Sequence, residues 1–177
     1  KRSFTSTIEP PPSSTPVQNS TNGTSAPFTK VFNASGSYIP KLIELIYKLY
    51  GPSALSSMLH DNDEDIRSST LDVCGELKLP QTFNGVMNAL RDNNFAVRQR
   101  AALALGKYKD PSAVDALVSS LQDVLDFDWI KEQSSKVRDS AAVALGMIGS
   151  SSAVKPLISA LKDQSMDVRR EATLALV

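Results

Sequence analysis

The sequence predicts an all-α fold, a solenoid of helical-hairpin repeats that follows a polar N-terminal segment. Matched residues recur at spacings of 31, 40 and 31, and each interval holds two apolar stripes of helical period. The repeated columns are Ile66, Val97, Val137 and Val168, each followed by Arg; Leu59, Leu90, Leu121 and Leu161, each followed two residues later by Asp; and Gly75, Gly106 and Gly146. The period is therefore 31, with nine inserted residues (40 − 31) after Asp123.

The composition is that of a globular protein with little material for catalysis. The 177 residues carry 19 Lys+Arg and 19 Asp+Glu, and 41% of them are hydrophobic. With one cysteine and one histidine, the chain has no internal disulfide, no Cys-rich zinc site and little scope for histidine chemistry. Its apolar runs are far shorter than the ~20 residues of a membrane span. We therefore predict no catalytic residue, metal site, cofactor or membrane span.

Residues 1–37 are predicted to be a disordered tail or linker. They contain 14 Ser/Thr and five of the ten prolines, and no apolar period runs through them. Three Asn-x-Ser/Thr sequons begin at Asn19, Asn22 and Asn33. They are glycan acceptors if the protein is secreted, or a chance product of this composition. The chain begins at Lys1, so we expect that an earlier stretch was removed or left out, and we take the cytoplasm as the expected compartment.

The first helix is predicted over Ile39–Tyr50. Pro40 suits its first turn, and Gly51 and Pro52 end it. The apolar stripe comprises Ile39, Leu42, Leu45, Ile46 and Leu49. Because the polar face carries only two lysines, a packed core helix is favoured over a helix on a membrane surface.

Each repeat then encodes two helices, of which residues 97–121 give the clearest example. The first helix is predicted to bury Val97, Ala101, Ala104, Leu105 and Tyr108. Gly106 permits either a tight exit or a close backbone contact. Asp110-Pro111-Ser112 caps a second helix, whose core stripe is Val114, Leu117, Val118 and Leu121. Neither helix can bury its stripe alone, so successive pairs must stack.

At these residues the chain resembles the HEAT-like repeat of the phycobilisome-lyase type. The motif is Val97-Arg-x-x-Ala-Ala-x-Ala-Leu-Gly106 followed by Leu121-x-Asp, and Val137–Asp163 matches it equally well. The resemblance covers residues 61–177 and implies an α-solenoid and a binding style, but no activity by itself. The first unit has Thr70–Gly75 in place of the Ala-rich run, which indicates a capping or degenerate unit.

The repeat array is predicted to span residues 38–177 and to be truncated at its C-terminal end. Residues 166–177 read as the first helix of a unit without its second helix. We expect Ala172, Ala175 and Leu176 to lie at an open edge, through which the chain could self-associate.

Three functions remain at this stage. The first is a non-catalytic scaffold that binds another protein, since repeat solenoids present extended surfaces. The resemblance alone implies the second, a bilin lyase subunit or phycobilisome-associated factor. A nucleic-acid-binding HEAT-like protein is third, but residues 38–177 carry 16 Lys+Arg against 18 Asp+Glu, a net charge of −2 that argues against it. Deoxyhypusine hydroxylase also uses such repeats, but it needs paired His-Glu motifs that one histidine cannot supply.

Several residues that could suggest chemistry have plainer interpretations. Cys74 aligns with core leucines and is predicted to be a buried thiol, whereas His60 falls at a solvated position. Acidic residues from Asp61 to Asp65 imitate a calcium loop, but Ile66 stands where the loop needs glycine, so helix capping is favoured. The resemblance to HEAT-like repeats implies that the Arg and Asp columns form hydrogen bonds between adjacent units, and bidentate pairs of this kind would fix the register of the repeats.

Partner binding is predicted on the face of each first helix opposite its core stripe, because those columns vary between units. The candidates there are Phe95, Gln99, Leu103, Asp139, Val143, Met166, Arg170 and Leu174. The insertion adds Asp126, Phe127, Asp128 and Trp129. Its alternative interpretation is structural: the second helix continues through Leu125 and buries Trp129.

Overall fold

The computed structural model describes residues 39–123 and 131–177, and both stretches are helical without strands. The helices are α1 (Ile39–Tyr50), α2 (Pro52–Met58), α3 (Glu64–Leu77), α4 (Pro80–Ala89), α5 (Phe95–Tyr108), α6 (Val114–Ser120), α7 (Lys131–Ile148), α8 (Val154–Ala160) and α9 (Met166–Ala175). Short 3-10 turns, Pro111–Ala113 and Ser151–Ala153, lead into α6 and α8. The predicted all-α repeat fold is confirmed, while the predicted tail, residues 1–37, lies outside the described residues. No helix in the described part is long and apolar enough to cross a membrane.

The helices form two layers. Helices α3, α5, α7 and α9 lie side by side in the first layer, with α1 against α3, and α2, α4, α6 and α8 form the second. The glycine column, Gly75, Gly106 and Gly146, allows neighbouring helices of the first layer to pack closely. A Cβ atom added to Gly106 would lie 2.8 Å from Cα of Ala144, and one added to Gly75 would lie 3.1 Å from Cα of Ala104. Of its two predicted roles, Gly106 therefore has the close backbone contact, and α5 continues past it to Tyr108.

The core lies between the two layers and includes the predicted stripes. In α5, Val97, Ala101 and Leu105 are fully buried. Tyr108 is half-buried, and its hydroxyl oxygen lies 2.7 Å from Oγ1 of Thr82. The stacked pairs thus bury apolar stripes that neither helix could bury alone.

Helix ends confirm the capping interpretation of the polar turns. Asp63 precedes α3 and accepts a hydrogen bond from the Asp65 N–H at 2.8 Å, and Asp110 accepts one from Ser112 N–H at 2.9 Å. The acidic run before α3 therefore serves the helix N-terminus, where the macrodipole also favours negative charge.

The bounds of α1 are confirmed, and its predicted stripe is confirmed at Leu42 and Ile46 but wrong at Leu45 and Leu49. Ile43 and Ile46 are buried, whereas Leu45 and Leu49 are exposed. The apolar arc of this helix is broad and only Lys41, Glu44 and Lys48 mark the opposite face, so the pattern did not determine which part of the arc is buried. Among the described helices α1 packs on α2 and α3, and those contacts select the Ile43 side.

The predicted extension of the second helix through Leu125 is also wrong. Helix α6 ends at Ser120, and Leu121 is its C-cap. Helix α7 instead begins early, at Lys131, and has 18 residues where α5 has 14. Part of the insertion thus lengthens the following first-layer helix, while residues 124–130 lie outside the described residues.

At the C-terminal end, the residues predicted to form an open edge do not do so. Ala172 is fully buried, and Ala175 contacts the backbone position of Gly146. These columns face the preceding first-layer helix, α7, which covers them. The exposed residues here are Thr173, Leu174 and Val177.

Candidate protein-interaction surface

The first-layer helices share an outer face that points away from the second layer. Two ion pairs join α3 and α5 on this outer face. Arg100 Nη1 lies 3.1 Å from Oδ1 of Asp72, and Lys107 Nζ lies 2.5 Å from Oε1 of Glu76. All four side chains are substantially exposed, so these pairs contribute little stability, and the α3–α5 half of this face is a solvated, charged surface.

The other half, on α7 and α9, is apolar. Met166 is 70% exposed and Leu174 is 63% exposed. Met147 is also exposed and Val143 is half-buried. We call the set Val143, Met147, Met166 and Leu174 the outer apolar patch. Its flexible methionines allow it to adapt to differently shaped partners.

Acidic groups surround this patch. Arg170 lies 3.3 Å from a carboxylate oxygen of Asp167 and 3.0 Å from one of Glu171. Asp139, on α7, is half-buried and accepts a hydrogen bond from Ser140 Oγ at 3.0 Å. Three carboxyl groups against one guanidinium give this region an excess of negative charge.

Burial raises the pKa of the Asp139 carboxyl, and the nearby charges of Asp167 and Glu171 raise it further. Hydrogen bonds from Ser140 act in the opposite direction without cancelling this effect. The ionised carboxylate is therefore less well solvated than a free one, and an approaching cation would be attracted to it.

The predicted partner-binding residues fall into three groups. Met166, Arg170 and Leu174 are exposed on α9. A second group is half-buried because the adjacent first-layer helix partly covers it, and it comprises Phe95, Gln99, Leu103, Asp139 and Val143. The third group, Asp126, Phe127, Asp128 and Trp129, lies outside the described residues and stays a prediction.

Sequence reasoning missed Met147 and Asp167 as members of this surface. Both occupy columns that vary between units, as the predicted residues do: Met147 aligns with Glu76 and Lys107. Including the residue after the first member and the residue one turn after the last member of each triplet would have found them.

The Arg and Asp columns have the structural role that was predicted for them. Arg138 binds the carboxylate of Asp163 through Nε at 2.8 Å and Nη2 at 3.0 Å, and its Nη1 donates to the carbonyl of Asp123 at 3.0 Å. Arg67 and Arg98 repeat the arrangement with the aspartates 25 residues further on. Each arginine thus ties its helix to the turns on both sides, which fixes the register of the stack.

Cys74 and His60 have the predicted surroundings. Cys74 is fully buried, and burial raises the pKa of its thiol to about 11. His60 is exposed, with Nδ1 2.9 Å from the carbonyl oxygen of Ser56. Within residues 39–123 and 131–177, no group of three or more His, Cys, Asp or Glu side chains is placed to hold a metal ion.

The fold and this surface define an α-solenoid repeat protein whose first layer is tightly stacked and whose outer face differs from unit to unit. The profile of the HEAT-repeat family matches residues 52–130 and 127–177. The chain therefore belongs to the HEAT-repeat family.

Two solved structures show how the fold relates to known proteins. Human deoxyhypusine hydroxylase, in a complex with glycerol, is similar with a TM-score of 0.58 and 24% identity over 78% of this chain and 43% of that one. The complex of CpcE and CpcF of phycocyanin lyase from Nostoc sp. PCC7120 is similar with a TM-score of 0.65 and 19% identity, over 95% of this chain and 70% of that one. The chain thus spans less than half of the human enzyme, and both likenesses concern the fold. No curated protein sequence matches the chain.

Proposed function

We propose that this chain is a non-catalytic scaffold that binds another protein on the outer apolar patch of α7 and α9. The observation that carries the proposal is the apolar character of the outer apolar patch, on a face whose other half carries ion pairs. Large exposed apolar side chains with a polar surround are typical of interaction sites.

The charged residues around the outer apolar patch indicate the chemistry of the partner. An apolar segment that covers the patch lies next to Asp139, Asp167 and Glu171, with Arg170 as the nearby cation. A helix with an apolar stripe flanked by Lys or Arg would satisfy both features, because its cations would compensate the half-buried Asp139. We extend the site to Phe127 and Trp129, since insertions in solenoids project from one face of the array.

The comparisons support a binding role without assigning a partner. One of the similar structures is a complex of two proteins, CpcE and CpcF. A HEAT-repeat fold of this kind is therefore compatible with protein recognition in a heteromeric assembly.

A display library of amphipathic helices, half with Lys/Arg flanks and half with Glu flanks, tests the proposal. We expect the basic half to be enriched, and we expect Leu174→Glu to abolish binding. Gln81→Glu, an equal change of charge at an exposed position of α4, is the matched control and should bind normally. Enrichment of neither half, or binding that survives Leu174→Glu, would contradict the proposal.

A second candidate is a bilin lyase subunit or phycobilisome-associated factor. It rests on the likeness to the phycocyanin lyase complex, which covers 95% of this chain. Absorption spectra of the protein after incubation with a free bilin and gel filtration would test it. A co-eluting visible band supports the candidate, and its absence at micromolar protein removes it.

A further inference from the structure

The second-layer helices are not equally close to each other, and the residue in one repeat column changes with their spacing. Gly85 of α4 lies so near α2 that a Cβ atom added to it would be 2.7 Å from Cδ1 of Leu59. The corresponding residues of the next two second-layer helices are larger, namely Ala116 in α6 and Pro156 in α8. Each lines an open groove, of about 340 Å³ between α4 and α6 and about 500 Å³ between α6 and α8. The larger side chain in this column thus goes with the larger groove.

The groove between α6 and α8 has an apolar floor and two lysines. Its apolar lining comprises Val118, Leu121, Pro156 and Ala160. Lys155 and Lys162 of α8 line it as well and are exposed. They are seven residues apart, so they lie two helical turns and about 10 Å from each other along the helix axis. Within the described part of the chain, neither ammonium group is paired with a carboxylate. The groove therefore has one unpaired cation near each end of α8.

The carboxylate in this groove does not cancel the charge of the lysines. Asp163 accepts hydrogen bonds from Nε of Arg138 at 2.8 Å, from Nη2 of Arg138 at 3.0 Å and from the Ser165 N–H at 2.8 Å. Burial alone would raise the pKa of Asp163, but these hydrogen bonds and the charge of Arg138 outweigh it and lower the pKa. The carboxylate is thus ionised and already compensated, and the charge left in the groove is positive.

The repeat itself does not require the two lysines. At the same two positions α6 carries Asp115 and Gln122, so the groove between α4 and α6 lacks this pair of cations, and Arg91 is the basic residue that lines it. Asp115 and Gln122 are exposed, as Lys155 and Lys162 are, although α6 has a second-layer helix on both sides. Exposure is therefore a property of these columns, and the two lysines distinguish one groove of the array from the other.

We propose that the groove between α6 and α8 binds an extended acidic segment of a partner protein. In an extended segment, the side chains at positions i, i+2 and i+4 point to the same face. An apolar side chain at i+2 enters the groove between Val118 and Pro156. Carboxylates at i and i+4, about 13 Å apart along the segment, pair with Lys155 and Lys162, whose long side chains cover the remaining distance.

The surroundings of the groove favour an extended polypeptide over a helix or a nucleic acid. A third helix between α6 and α8 would need about 8–10 Å to each axis, but α6 already contacts the turn Ser151–Ala153 that leads into α8. A phosphate backbone needs a row of cations, whereas here two lysines flank an apolar floor. The site lies on the second layer and takes a partner of opposite charge to the one proposed for the outer apolar patch, so neither proposal depends on the other.

The probe for this site is a fluorescein-labelled peptide in which Glu, Leu and Glu alternate with serine between Gly-Ser ends. We expect fluorescence anisotropy to show saturable binding to the full 177-residue chain that weakens as salt is raised. Lys155→Gln and Lys162→Gln should each weaken the binding by about two- to fivefold, as the loss of an exposed ion pair does. Arg91→Gln, in the column of Lys162 but in the other groove, should leave the binding unchanged.

A matched pair of variants tests the groove itself. Ser159 and Ser119 are corresponding exposed residues that line the two grooves. Ser159→Phe places a ring in the groove between α6 and α8 and should abolish the binding, whereas Ser119→Phe should not. Melting temperatures check that both variants fold as the native chain does. Leu174→Glu should bind the peptide normally, which separates this site from the proposed function.

A peptide with photo-leucine at its central position locates the site without any substitution in the protein, and it keeps the test decisive if Ser159→Phe is unstable. Crosslinks should fall on α6 and α8, and crosslinks confined to other helices would overturn the proposal. It would also be overturned by no binding at millimolar peptide, by equal binding of a peptide with Lys in place of both Glu, or by equal binding of one with Ser in place of Leu. A single-stranded oligonucleotide that binds more tightly and loses affinity in Lys162→Gln would assign the groove to nucleic acid instead.

Discussion

The close stacking of the first layer predicts an unequal response to the same substitution, glycine to alanine, at two helical positions. In both helices the change gains about 1 kcal/mol of helix propensity. At Gly106 the new methyl would lie 2.8 Å from the backbone Cα of Ala144 and 3.1 Å from the sulfur of Met147. Since a backbone atom moves only if α7 moves as a whole, the cost lies near the upper end of the roughly 1–3 kcal/mol typical of overpacking. We expect Gly106→Ala to lower the free energy of unfolding by about 2 kcal/mol.

Gly85→Ala is the matched control. Its methyl would meet only Cδ1 of Leu59, at 2.7 Å, which is the rotatable tip of a side chain. The propensity gain then offsets most of the strain, and the free energy of unfolding should change by less than about 1 kcal/mol. Urea denaturation followed by circular dichroism measures both variants, with the m-value confirming that the same surface unfolds. Equal stabilities of the two variants would refute the argument that backbone contact sets the spacing of α5 and α7.

Three further expectations follow from the described contacts. Arg138→Gln should lower the free energy of unfolding by about 3 kcal/mol, because it leaves a largely buried carboxylate unpaired. Arg100→Gln removes an exposed ion pair and should lower the free energy of unfolding by less than about 1 kcal/mol. Equal losses of stability for Arg138→Gln and Arg100→Gln in urea titrations would contradict the structural role of the Arg and Asp columns. Asp139→Asn should raise stability at pH 7: the folded-state pKa is raised, so the native carboxyl contributes most below the unfolded pKa near 4 and loses that contribution as pH rises through the folded value. The gain should therefore vanish in acid, and a gain that persists at pH 3 would argue against this cause. Cys74 should react with a thiol reagent only upon unfolding, since burial raises its pKa to about 11, and rapid native labelling would show that the α3 core opens.

Most of the fold could be predicted from the residues that repeat in the sequence. Spacings of 31 residues located the arginine, aspartate and glycine positions, and their roles follow from chemistry that one repeat already contains. The resemblance was enough to predict hydrogen bonds between the Arg and Asp columns, but the pairing of Arg98 with Asp123, 25 residues further on, came from the structure.

Prediction failed where a helix lacks repeated neighbours on both sides. The apolar arc of α1 is wide enough to include both Ile43 and Leu45, so periodicity could not choose between them, and tertiary contacts decided. The prediction of an open edge on α9 was wrong for a related reason. The helical wheel defines the faces of α9, but it does not show which of them packs against α7. Ala172 and Ala175 were assigned to the wrong side, whereas Thr173 and Leu174 are the exposed residues of this turn.

The packing of the first layer limits where a binding function can arise. Each of α5 and α7 uses one side for the core, one for the preceding helix and one for the arginine, alanine and glycine that meet the next helix. Substitution on any of these sides disturbs a neighbour, so only the outer columns are free to change without loss of stability. A stack of this kind therefore acquires a partner in two ways, through the outer residues of several helices together or through inserted residues between repeats. Both features occur next to each other here: the apolar residues of α7 and α9 stand where α3 and α5 carry ion pairs, and the nine-residue insertion runs into the first turn of α7. Their coincidence at α7 is what the proposal of a partner site at α7 and α9 would produce.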